Sequence, residues 1–301
     1  ARSNENINLE VVSRFSLNHK VGKLRAVPVQ IAHDKTAIFV AYSADKDIDP
    51  WIEMFYCPTD RMKFALYSLD GQLIWEKELG TCTLNGIWFT PIYPFDLDKD
   101  GIDEIYYVNN TDSVHVLSYQ SLRLEALDSR TGKRIGQWPW KRSVTNESLS
   151  HTFRNFIFGG YVNGEPVLIT AQGTYGRMGL QAWDKGMESR WDLIIEKDDP
   201  GARGSHMSPV VDINFDNIDE ILWGERCISM DDGHYLFIAD KHKYKGHSDV
   251  IQPTLQRSTN EWMMFTCRES GSKGQIKPRV VMFDHKGRRI WTDLDKGHMD
   301  M

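Results

Sequence analysis

The 301-residue chain has few cysteines, no long apolar run and almost no helical periodicity. Its four cysteines, Cys57, Cys82, Cys227 and Cys267, are scattered and form no CxxC, which argues against a disulfide framework and leaves the compartment unread. No stretch approaches the ~20 apolar residues of a membrane span. The opening ARSNENINLEVV is not a signal peptide, although a chain matured by cleavage could begin this way. A net charge of −6 argues against a nucleic-acid partner. Against these absences stand ten tryptophans, 41% hydrophobic and 26% charged residues, a composition able to bury a large globular core.

The chain also repeats itself. FDLDKDGIDEI (Phe95–Ile105) returns 116 residues later as VDINFDNIDEI (Val211–Ile221). A second pattern is an alternating apolar run, an Asp, a Gly-containing turn and a strand carrying Trp. It occurs in LYSLDGQLIW, LEALDSRTGKRIGQW, LQAWDKGMESRW and VMFDHKGRRIW, ending at Trp75, Trp138, Trp191 and Trp291. Each copy reads as a β-hairpin. An all-β chain with a period of ~50 residues is the signature of a β-propeller, one four-stranded sheet per period. Residues 1–301 therefore read as a single propeller of the seven- or eight-bladed type. About five blades fit, and the closing GHMDM reads as the start of another, so the protein is expected to continue past Met301.

Each acidic loop falls between the first two strands of a blade. Asp96, Asp98, Asp100 and Glu104 take alternate positions of a cation loop, with Gly101 at the bend and the Ile102 carbonyl as a further ligand. The second copy offers Asp212, Asn214, Asp216 and Glu220, and Asn217 replaces the glycine. Structural calcium is the expectation; an Asx-rich turn without metal is the alternative.

Topology then sorts residues by face. The segments that enter each first strand, and those that leave each second strand, lie at one end of the blades, here termed the upper face. Successive entries carry His151, His206, His247 and His298. In the third blade the entry SHTFRN and the exit AQGTYGR bring together His151, Arg154, Asn155, Tyr175 and Arg177. Such a set suits elimination from a uronic acid. An Arg or amide neutralises the carboxylate, a His or Tyr removes the C5 proton, and another protonates the O4 leaving group. Trp88 and Tyr161 are further candidates for substrate contact. His206, Cys227, His242 and His247 map to the same rim and make a tetrahedral zinc set, whereas nearby oxygen groups such as Asp249 favour calcium. The lower end of its hairpin holds His234, which is left out of the set.

The blocks FALYSLDGQLIWEKELG…FTPIYPFDLDKDGIDEI, LITAQGTYGRMGLQAWD and DNIDEILWGERCISMDDG…GHSD resemble the propeller of bacterial rhamnogalacturonan lyases and of propeller-type ulvan lyases. Their order agrees from about residue 60 to the end. The acidic loops alone are weakly specific; the YGRMGLQAWD and CISMDDG…GHSD blocks carry the resemblance. It implies a secreted or periplasmic bacterial polysaccharide lyase that binds calcium or zinc and cuts an acidic polysaccharide at a uronic acid. By resemblance, the loops around Tyr175, Arg177, His206 and His247 line the substrate and metal region. Three departures tilt the expectation towards ulvan over rhamnogalacturonan: no β-sandwich precedes the blades, the entry reads GHSDV where rhamnogalacturonan lyases usually have GHGDA, and GHMDM is richer in His. The competing class is a non-catalytic carbohydrate-binding or adhesion propeller with structural calcium. A hydrolase would want paired carboxylates across the bond, and the upper-face segments are rich in His, Arg and Tyr instead.

Overall fold

A computed structural model describes residues 10–141, 148–270 and 280–293. Among the described residues, twenty strands form five four-stranded antiparallel sheets, each a meander in chain order. The first blade is β1 (Lys23–Ala32), β2 (Lys35–Ser43), β3 (Lys63–Tyr67) and β4 (Leu73–Glu78). The second is β5 (Ile92–Phe95), β6 (Glu104–Asn110), β7 (Leu122–Asp128) and β8 (Arg134–Pro139). The third is β9 (Asn155–Val162), β10 (Glu165–Gln172), β11 (Met178–Asp184) and β12 (Glu188–Ile195). The fourth is β13 (Val210–Val211), β14 (Glu220–Trp223), β15 (Arg226–Ser229) and β16 (Tyr235–Ile238). The fifth is β17 (His247–Gln256), β18 (Glu261–Ser270), β19 (Val280–Asp284) and β20 (Arg289–Asp293). The all-β propeller architecture expected from the repeats is what forms. The one α-helix among the described residues, α1 (Leu149–Thr152), is a single turn ahead of β9. No helix among them is long and apolar enough to cross a membrane.

The core lies between blades. Val29, Phe39, Phe64 and Leu66 of the first blade pack on Ile105, Tyr107 and Leu127 of the second. Phe156, Val167, Ile169 and Leu180 of the third pack on Ile221, Trp223 and Ile228 of the fourth. Leu222 and Cys227 of the fourth meet Ile251, Met264 and Phe283 of the fifth. This is why strand residues on both sheet faces are apolar: a middle blade is covered on both sides.

The Trp repeat has a structural cause. Trp75, Trp138, Trp191 and Trp291 all sit on outermost strands, paired with Leu66, Leu124, Ala182 and Met282. Trp75 Nε1 donates to the Ser129 carbonyl in the next blade at 2.7 Å, and Trp191 Nε1 donates to the Met230 carbonyl at 2.9 Å. The ring lies on the glycine of the neighbouring turn. A Cβ on Gly132 would come within 2.7 Å of Trp75, and one on Gly233 within 2.9 Å of Trp191.

The acidic loops join β5 to β6 and β13 to β14 at the lower face. Both fold through the same bonds. Asp96 Oδ1 accepts the Asp100 amide at 3.1 Å and Asp212 Oδ1 accepts the Asp216 amide at 3.0 Å. The aspartate just before each loop's glutamate adds a clamp between blades. Asp103 Oδ2 accepts the Gln30 amide at 2.7 Å while its own amide donates to Gln30 O at 2.9 Å. Asp219 binds Tyr161 in the same two-bond way, at 2.7 and 2.9 Å. Each loop thus clamps the preceding blade's first hairpin. Tyr161 therefore belongs to the lower face, beside the second acidic loop, and not to a substrate rim.

Candidate active site

Upper-face segments from four blades enclose a cavity of about 490 Å³. Asp49, Trp51 and Met54 come from the loop between β2 and β3. Ser150 and His151 come from α1, Arg154 from the residue before β9, and Tyr175 from the β10–β11 turn. His206 precedes β13 and Glu269 ends β18.

Arg154 is buried on an aromatic floor. Its guanidinium lies 4.9 Å from the Trp88 ring centre and 5.5 Å from that of Tyr175, a geometry that favours the cation. Nη2 is 3.6 Å from Asp49 Oδ1, and Nη1 has no hydrogen-bond partner among the described residues. Asp49 also accepts the Trp88 indole N–H at 3.1 Å and the Trp51 amide at 2.7 Å, so it ties the β2–β3 loop to this floor. Trp88 is buried beneath the site and supports Arg154. Asn155 is buried at the start of β9, its amide donating to Trp88 O at 3.0 Å.

Tyr175 adopts φ = 69°, an uncommon left-handed backbone for an aromatic residue, and such strain collects at functional positions. Its hydroxyl is 3.2 Å from His206 Nε2 and 3.3 Å from Glu269 Oε2, and its ring stacks 5.5 Å from His151. Burial pushes the phenol well above its ordinary range; Arg154 opposes the shift and Glu269 adds to it. The hydroxyl therefore keeps its proton at neutral pH.

Beside Tyr175, single ligand atoms of His206, His247, Asp249 and Glu269 lie within 4.8 Å of one another. Burial, reinforced by His206, holds His247 well below the usual histidine range, so it is neutral, as a metal ligand must be. Its Nε2 is buried with no hydrogen-bond partner among the described residues, 3.9 Å from Glu269 Oε2. Two imidazoles and two carboxylates around one point fit a divalent cation. Asp96, Asp98 and Asp100 form a second such group at the lower face. There burial and the charges of Asp98 and Asp96 push Glu104 up to about 7. Burial with Asp216 and Asp212 pushes Glu220 up to about 8. Carboxyls raised by desolvation and like charge are what a bound cation would relieve.

Besides Tyr161, three expected site residues fall elsewhere. Cys227 lies on β15 inside the apolar layer between the fourth and fifth blades, and burial raises its thiol far above the range in which a thiolate forms. His242 is exposed in the turn before β17 and is outside the four-ligand cluster. Arg177 pairs with Glu196 at 3.1 Å on the outer side of the β10–β11 turn and does not line the cavity. His298 lies outside the described residues. Conversely, Asp49 and Glu269 escaped the sequence reading. Both sit on second-strand exits, the topological class that had already singled out Tyr175.

No family model matches the chain. It is 26% identical over 249 residues to rhamnogalacturonan exolyase YesX of Bacillus subtilis (strain 168), covering 71% of this chain and 40% of that protein. It is 26% identical over 271 residues to rhamnogalacturonan endolyase YesW of the same organism, covering 76% and 43%. The crystal structure of exotype rhamnogalacturonan lyase YesX superposes with a TM-score of 0.75 at 21% identity, over 89% of this chain and 48% of that one. The chain spans less than half the length of the curated relatives it matches, and over that span it is similar to rhamnogalacturonan lyases in sequence and in fold.

Proposed function

We propose that this chain carries the catalytic propeller of a polysaccharide lyase that cleaves rhamnogalacturonan at its uronic acid by β-elimination. The observation that carries the reading is one cavity lined by Arg154, His151 and Tyr175 and bordered by a cluster of potential cation ligands, His206, His247, Asp249 and Glu269. Both relatives act on rhamnogalacturonan, so that polymer replaces the ulvan favoured from the sequence. A polymer too large to cross a membrane intact suits a secreted or periplasmic enzyme.

A uronate C5 proton is too weakly acidic while the carboxylate keeps its full charge. Arg154, buried and with Nη1 unengaged by other described residues, pairs with the carboxylate as negative charge builds on it. His151 takes the C5 proton. The C5–H electrons become the C4–C5 double bond, the C4–O4 bond breaks, and O4 takes the proton held by Tyr175. The Tyr175 hydroxyl, protonated at neutral pH and facing the cavity, serves as the acid, and His206 belongs to the proposed cation cluster, which leaves His151 as base. His206, His247, Asp249 and Glu269 would hold a divalent cation, which adds positive charge beside the carboxylate when bound. The lower-face loops would hold calcium in a structural role.

The test follows the ultraviolet absorbance of unsaturated uronate on rhamnogalacturonan. Arg154→Ala, His151→Ala and Tyr175→Phe should each lose roughly 10²–10³ in rate while remaining folded at the assay temperature. Near-native rates in all three would move the chemistry elsewhere. No product from the unmutated chain on any uronate polymer would favour the binding propeller, for which Trp51 and Met54 beside a cationic floor also suffice.

A further inference from the structure

His247 opens β17 with its ring between Tyr175, at 4.2 Å, and His206, at 4.6 Å. Its two nitrogens have different surroundings. Nδ1 lies 2.8 Å from Thr174 Oγ1 and 3.4 Å from the Arg203 carbonyl oxygen. Thr174 Oγ1 is itself 2.9 Å from that carbonyl. A carbonyl can only accept, so the 2.9 Å contact is a hydrogen bond only when the Thr174 hydroxyl gives its single proton to Arg203 O. What the hydroxyl then turns towards Nδ1 is a lone pair. Both polar neighbours of Nδ1 are acceptors, and the ring proton must sit there. Nε2 is left as a bare lone pair, buried within the ligand cluster. In the opposite tautomer the hydroxyl would have to turn its proton to Nδ1, which leaves Oγ1 and Arg203 O as two acceptors 2.9 Å apart with no proton between them, and the Nε2 proton would have no hydrogen bond, since Glu269 Oε2 is 3.9 Å away.

We propose that Thr174 is a positioning residue of the metal centre: by accepting the Nδ1 proton of His247 it commits the Nε2 lone pair to a divalent cation shared with His206, Asp249 and Glu269. The proposal rests on the cluster being a metal centre, and it assigns a role to a residue that touches neither metal nor sugar. An outer partner that fixes the tautomer and orientation of a ligand histidine is a general requirement of such sites.

The local backbone is built to keep the hydroxyl in place. Thr174 is fully buried, so no solvent competes for its proton. The Arg203 carbonyl also accepts the Tyr175 amide at 3.0 Å, which helps hold that residue in its left-handed conformation. One carbonyl therefore ties the proton donor of the reaction to the ligand histidine. Gly204 follows with φ = 74°, and a Cβ there would approach Thr174 Oγ1 to 3.0 Å, so any other residue would disturb the hydroxyl. The Ser248 amide donates to Gly204 O at 3.2 Å and the Tyr244 hydroxyl donates to His247 O, fixing the start of β17 against the same segment.

Two measurements test this without using lyase activity. Nitrogen-15 NMR of histidine-labelled, chelator-stripped protein reports which ring nitrogen carries the proton, with His247→Gln supplying the assignment. The expected result is His247 protonated on Nδ1; protonation on Nε2 overturns the proposal. Calorimetric titration with Zn²⁺ alone then compares variants. Thr174→Val keeps the shape and removes the oxygen, and should weaken zinc binding by about 10–100-fold. Thr174→Ser should bind within a few-fold of the unmutated protein. Equal affinity in the Val variant and the native chain overturns the role of Thr174. If the native chain binds no zinc, the metal reading fails and the proposal with it, whatever the lyase assay shows.

Discussion

Removing divalent cations and raising the pH should destabilise the propeller through Glu104 and Glu220. Both carboxyls follow the acidic loops and reach back into them: Leu97 N donates to Glu104 Oε2 at 3.3 Å and Ile213 N to Glu220 Oε2 at 2.8 Å. Burial comes first among the causes of their shift, then the neighbouring aspartates, giving folded values of about 7 and about 8 against 4.5 when unperturbed. The folded state therefore binds more protons than the unfolded state from about pH 4.5 upward. Stability from these groups is complete below that pH and is lost as pH rises through 7 and 8. At 1.36 kcal/mol per unit the full shifts correspond to about 3–5 kcal/mol per group, and solvent screening cuts the expected loss to about 1–2 kcal/mol each. A bound cation reverses this, because it needs the ionised form. Denaturant unfolding between pH 5 and 9 should show a fall in stability in chelator that calcium abolishes. Glu104→Gln with Glu220→Gln should flatten the chelator curve. A flat chelator curve in the unmutated protein, or an undiminished calcium effect in the double variant, would refute the reasoning.

Other outcomes follow from the same contacts. Gly132→Ala should cost about 1–3 kcal/mol in thermal unfolding, because its φ of 66° and the Trp75 ring both oppose a Cβ. Trp51→Ala should raise KM with little change in kcat, since Trp51 is half exposed at the cavity wall and takes no part in proton transfer. Arg177→Ala should leave turnover near native, and Cys227→Ser should lower the melting temperature without changing zinc affinity.

The five blades within this chain, the hairpins and the place of the acidic loops were legible because each depends on local period and turn chemistry, which recur in the string. The gathering of His151, Arg154, Tyr175, His206 and His247 was legible for a topological reason: entries and exits of successive blades share one face. That rule fixes the face but not the depth or direction of a side chain. Arg154 and Arg177 sit three and two residues from a catalytic candidate, yet one turns inward onto Trp88 and the other outward to Glu196. Cys227 maps to the rim in chain order, but the two-residue alternation of β15 points it into the apolar layer. Tyr161 was misplaced by choosing the wrong end of β9. Asp103 and Asp219 were hidden because their partners, Gln30 and Tyr161, come from other blades.

The central claim is that the cavity eliminates across C4–C5 of a uronate rather than adding water to the glycosidic bond. Digesting rhamnogalacturonan in heavy-oxygen water and analysing the fragments by mass spectrometry tests it most directly. The account predicts fragments with an unsaturated uronate end and no oxygen taken from the solvent, and their loss in Arg154→Ala. Saturated fragments carrying the heavy oxygen would contradict it.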